Sequence, residues 1–130
     1  MPQIDIDFNH VLIYVRDVKR ASRFYRDLLG FQMIEETADY ARLRSPNSNS
    51  TIGLHKLSGQ MPSLPAHEGI RLYFEVKDLD QLCRKLSSEG VKIDEMPENM
   101  PWGWRHAYLR DPDGHELSLY WAGEKRFQQS

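Results

Sequence analysis

The chain has 130 residues, enough to bury a core without covalent staples. Apolar residues make up 40% and charged residues 28%, with aromatic residues spread along the length, which excludes a disordered chain. Seventeen Lys and Arg against nineteen Asp and Glu leave a net charge of −2 with no like-charge block, so nucleic acid and anionic membranes are not expected partners.

In chain order, the opening MPQIDIDFNH lacks the basic and apolar regions of a secretory signal, and no apolar run approaches membrane-spanning length. A cytoplasmic protein is expected. A strand opens at His10 and is followed by Asp17, placed to cap a helix whose apolar positions 21, 24, 25 and 28 keep helical spacing. Gly30 ends that helix as a left-handed cap. YARLRSPNSNSTIGLHKL then reads as strand, turn and strand, and a linker covers about 58–68.

The second half repeats the pattern. A strand opens at Arg71, Asp78 caps a helix with apolar positions 79, 82, 83 and 86, and Gly90 ends it. A Pro-rich loop, EMPENMPWGW, precedes HAYLRDPDGHELSLYW, which is again strand, turn and strand. Residues 123–130 form a short polar tail. The only cysteine, Cys83, lies on the apolar helical face and is expected in the core; a lone cysteine excludes an internal disulfide and a Cys-based metal cluster.

Advancing the first copy by 61 positions lays His10 on Arg71, Val15 on Val76 and Asp17 on Asp78, with a mismatch where Phe24 meets Lys85. In the second halves Arg44 falls on Arg110, Gly53 on Ser118 and His55 on Tyr120. The expected fold is α+β: one domain of two βαβββ modules, about 6–57 and 69–122, forming a curved mixed sheet around a concave cup with helices outside. Alternation puts Leu117 and Leu119 toward the helix and Glu116, Ser118 and Tyr120 on the other face. His10, Gly53, His55 and Arg71 share that outer face by the same rule, and Arg42 and Tyr108 join it. Taken singly these are ordinary solvated side chains; converging from four strands, they mark a binding site.

The doubled pattern, with NHVLIYVRDVKRASRFYRDLLGF opening and LRDPDGHELSLYW closing, resembles the vicinal oxygen chelate superfamily, which includes glyoxalase I, extradiol dioxygenases and bleomycin-resistance proteins. The likeness covers about residues 6–122. It implies metal ligands from the first and last strands of each copy, and those positions here are His10, Gly53, Arg71 and Ser118. Only His10 suits a metal. Glu116 lies two residues early, about 6.7 Å along the strand, against metal–ligand bonds of about 2.0–2.2 Å. No cofactor is therefore expected; the alternative is zinc, manganese or iron held by a rebuilt set of His10, His55 and Glu116.

The leading expectation is a protein that binds a small anionic or aromatic organic molecule without a metal. Arg71 would offer its donor fork to an anion, with His10, His55, Ser118 and Tyr120 around it and Trp102 and Trp104 closing over. The alternatives are an enzyme of lyase, isomerase or dioxygenase type, using the rebuilt metal site or His10 or His55 as general base, and an interaction domain with no small ligand. The resemblance also implies a homodimer.

Overall fold

The structure is a computed structural model and describes residues 4–5, 8–57 and 70–127. The expected linker, 58–68, and residues 128–130 of the tail lie outside the described residues. The chain forms two compact units, Met1–Pro65 and Ala66–Ser130.

In the first unit β1 (His10–Val15) leads into α1 (Val18–Arg23), then β2 (Gln32–Glu36), β3 (Tyr40–Arg44) and β4 (Thr51–Lys56). The sheet order is β1-β4-β3-β2, with β1 and β4 parallel and the other pairs antiparallel. A parallel pair needs a long crossover, here supplied by the helix and the β2–β3 hairpin between its strands. The Asp17 carboxylate accepts from the Arg20 amide at 3.2 Å, as its capping position demands. Beyond Arg23 the helix widens into a π turn, Phe24–Leu28, which seats Phe24 and Tyr25 in the core with rings 5.1 Å apart at 84°. Gly30 takes φ +79°, and the Phe31 amide donates back to the Tyr25 carbonyl at 3.0 Å.

The second unit runs β5 (Arg71–Glu75), α2 (Leu79–Ser88), β6 (Ile93–Asn99), β7 (Arg105–Arg110) and β8 (Glu116–Trp121), in sheet order β5-β8-β7-β6. Its strand directions copy those of the first unit. Asp78 caps α2 by accepting from the Gln81 amide at 3.2 Å, and Leu79, Cys83 and Leu86 bury the apolar face. Burial pushes the Cys83 thiol upward, consistent with a core position.

One segment differs from the sequence reading. EMPENM was expected in a loop, but Ile93–Asn99 forms edge strand β6, whose register slips twice against β7. Pro97 is tolerated there because an edge strand has an unpaired side on which a missing N–H does no harm. Of the tail, Gly123–Phe127 form a 3-10 helix. Among the described residues no helix is long and apolar enough to cross a membrane.

Candidate functional site

The strand register sorts the outer face of the second sheet into rows. Arg71 lies beside Glu116 and Arg110, Tyr73 beside Ser118 and Tyr108, and Glu75 beside Tyr120 and His106. The opposite face carries Ala107, Leu109, Leu117 and Leu119, all buried.

The first row is a charge network. Arg71 Nε donates to Glu116 Oε2 at 3.2 Å, and its guanidinium stands 4.6 Å from the centre of the Tyr108 ring. Arg110 Nη2 donates to the other Glu116 oxygen at 3.4 Å, and Arg110 Nε lies 3.9 Å from Asp94. A cavity of about 390 Å³ opens beside them, lined by Arg71, Arg110, Tyr108, Asp94, Glu95 and Glu116 among others. Three carboxylates share the cavity with two guanidiniums, and Arg71, expected as an anion anchor, is paired there with Glu116.

The second and third rows are aromatic. His106 is 2% exposed and is surrounded by rings. Trp104 lies nearly parallel to it at 17° and 6.0 Å, and nearly parallel to Tyr120 at 18° and 5.0 Å. Tyr73 and Trp102 stand perpendicular to the imidazole, at 5.8 and 5.6 Å. His106 Nδ1 meets the Tyr108 hydroxyl at 3.0 Å and the Ser118 hydroxyl at 3.1 Å. Burial, and secondarily the charge of Arg71, hold its pKa below the usual histidine value, so the ring is neutral at pH 7.

The end of the chain braces this layer. Trp104 Nε1 donates to the Lys125 carbonyl at 3.1 Å, Arg126 donates to the Tyr120 hydroxyl, and Arg126 also pairs with Glu75 at 2.9 Å. Gly103, at φ +96°, turns the chain between the two tryptophans, and a Cβ there would meet the Lys125 side chain at 3.0 Å. Trp102 and Tyr73 remain 43% and 46% exposed. The second unit thus presents two partly open rings against a closed polar and aromatic base. Ser118 and Tyr120, expected as direct ligand contacts, lie in that base.

His106 escaped the sequence reading. The signal was present: in RHAYLR, the small and apolar Ala107 and Leu109 take the helix side, which sends His106 and Tyr108 outward together.

The remaining expected residues lie on the first sheet. His10 Nδ1 meets the Thr51 hydroxyl at 2.7 Å, and its ring leans over Gly53, where an added Cβ would be 3.3 Å from Cε1 and Nε2. His55 Nδ1 donates to the Lys56 carbonyl at 2.8 Å, and its ring lies between Tyr14 and Tyr40 at 5.9 and 6.2 Å.

These side chains do not fit the divalent ion that the resemblance implies. Gly53 offers no donor atom, Ser118 spends a fully buried hydroxyl on His106, and Arg71 is paired with Glu116. The rebuilt set fares no better. His10 pairs with Thr51, four residues before His55 on β4, and even with its ring over Gly53 it stands two residues, about 6.7 Å along the strand, from His55. Glu116 is occupied by two guanidiniums. Among the described residues, no three His, Cys, Asp or Glu side chains come together to hold a metal.

Residues 7–119 match the Glyoxalase/Bleomycin resistance protein/Dioxygenase superfamily, and the chain belongs to it. It is 31% identical over 126 residues to the uncharacterized protein YaeR of Escherichia coli strain K12, covering 86% of this chain and 93% of that one. It is 26% identical over 127 residues to a probable lactoylglutathione lyase of Synechocystis, covering 90% and 96%. A superfamily member from Sphaerobacter thermophilus shares the fold with a TM-score of 0.74 at 24% identity, over 90% of this chain and 98% of its own.

Proposed function

We propose that this protein binds a small, uncharged, planar aromatic molecule against Tyr73 and Trp102, without a metal. The observation that carries the reading is the aromatic layer of the second unit. Two rings are nearly half exposed over a base of Trp104, His106 and Tyr120, whose positions are held by stacking and hydrogen bonds. A preorganised base lowers the entropic cost of stacking a ligand, and flat rings supply the contact area. The charge network argues against the anionic ligand, since an added carboxylate would face Asp94, Glu95 and Glu116 with both guanidiniums already engaged.

Calorimetric titration with naphthalene and with benzoate tests this. Naphthalene is expected to bind, to weaken about tenfold in Trp102→Ala, and to outcompete benzoate. Equal affinity in the variant, or preference for benzoate, would overturn the reading. The name of the Synechocystis relative favours a second reading, an enzyme of lyase type. Turnover that depends on added zinc, manganese or iron would establish it over the first. Homodimer formation belongs to the proposal on family resemblance, and sedimentation velocity measures it.

A further inference from the structure

The buried imidazole of His106 has one edge whose chemistry is set and one edge left over. The Ser118 hydroxyl is 0% exposed, and His106 Nδ1 is the partner that meets it. The Tyr108 hydroxyl converges on the same nitrogen but is only part-buried, so of the two it is the Ser118 hydrogen that has no acceptor other than Nδ1. A buried hydroxyl hydrogen needs an acceptor, and the Nδ1 lone pair is the acceptor at hand. Nδ1 is therefore unprotonated. A neutral imidazole has one N–H, which in this ring must lie on Nε2.

Nε2 is buried and has no hydrogen-bond partner. Native structures seldom leave such a group unpaired, because a buried donor without an acceptor loses its hydration for nothing in return. Tyr73 and Trp102, which stand perpendicular to the imidazole, are the most exposed rings around it and form the side open to a ligand. The base of the aromatic layer therefore contains a neutral N–H donor without a hydrogen-bond partner, beside its two exposed rings.

We propose that His106 Nε2–H is the specificity-determining group of this site, donating to an acceptor atom on the rim of a planar ligand: a heteroaromatic ring nitrogen or a ring carbonyl oxygen. The proposal rests on the aromatic-ligand reading and narrows it to aromatic molecules that carry an acceptor. Ser118 and Tyr108 are positioning residues in this scheme. They hold the tautomer from behind and need not touch the ligand.

Quinoline and naphthalene have nearly the same shape and differ by one ring nitrogen, so the pair isolates the donor. Wild-type protein is expected to bind quinoline about tenfold more tightly than naphthalene, the ratio one net hydrogen bond provides. His106→Phe should erase the ratio while still binding naphthalene. Should that variant fail to fold, the two-bond proton–nitrogen NMR spectrum of wild-type His106 serves alone: protonated Nε2, bare Nδ1, and an Nε2 resonance moved by quinoline but not by naphthalene. A proton on Nδ1, or equal affinity for the two probes, overturns the donor and leaves aromatic binding intact. If neither probe binds, the aromatic reading falls and the donor with it.

Discussion

The two sheets share one backbone plan and carry opposite chemistry. β1 and β5 hold His10, Leu12 and Tyr14 against Arg71, Tyr73 and Glu75; β4 and β8 hold Thr51, Gly53 and His55 against Glu116, Ser118 and Tyr120. On β3 and β7 the positions opposite His55 and Tyr120 are Tyr40 and His106. A Tyr–His neighbour pair therefore occurs in both, with the residues exchanged. The first pair, Tyr40 and His55 at 6.2 Å, leaves its histidine exposed; the second, His106 and Tyr120 at 5.9 Å, is buried. The difference comes from the loop before β7. Trp104 lies across the second pair and is tied to the tail, whereas all three tryptophans of the chain fall in the second unit. Enclosure, and not the identity of the paired residues, turns a solvated face into a preorganised one.

Variants can break that comparison or sharpen it. The largest effect is expected from Trp104→Ala, which removes the stack on both His106 and Tyr120 and the bond to Lys125; a loss of about 3 kcal/mol should appear in urea unfolding. Tyr40→Ala in the first unit should cost clearly less, and equal losses would show that the second layer is no better built than the first. The helix caps test the shared plan. Asp17→Ala and Asp78→Ala should each cost about 1 kcal/mol, and a large inequality would mean that the repeat is less faithful than the hydrogen bonds indicate.

A pH dependence should follow, smaller than either. Folding lowers the His106 pKa, so at pH values between its folded value and the ordinary 6.5 the unfolded chain binds more protons. The stability this group contributes is complete above the ordinary value and is lost as pH falls through the depressed one. Unfolding curves below neutrality should show the loss, and His106→Gln should flatten that segment. The smallest change belongs to the charge row. Glu116→Gln releases Arg71 and Arg110 from their shared counter-ion, and benzoate affinity should rise roughly threefold, the scale of a half-exposed ion pair; unchanged affinity would mean that Arg71 is held by the Tyr108 ring instead.

Much of the plan was legible in the residues. Asp17 and Asp78, Gly30 and Gly90, and the alternation of Ile52, Leu54, Leu117 and Leu119 each announce a local structure through short-range physics. β6 was hidden because Pro97 argues against a strand unless the strand is known to be at an edge. The pairing of Arg71 with Glu116 depends on the parallel register of β5 and β8, a contact between residues 45 positions apart that no local pattern states. The aromatic layer was half visible. Trp104 and Tyr120 were expected near a ligand, but their stacking with His106 depends on the turn at Gly103 and on the anchoring of Arg126, which are tertiary facts.

One measurement tests the central claim most directly, and the chain provides its own control. Trp102 and Trp104 flank the aromatic layer, while Trp121 alternates with Tyr120 to the opposite face of β8. Their three indole N–H resonances can be followed in a proton–nitrogen spectrum during titration with quinoline. Saturable shifts at Trp102 and Trp104 with Trp121 unmoved are the predicted result. Three unmoved resonances, or a Trp121 shift as large as the others, would contradict an aromatic binding site on this face.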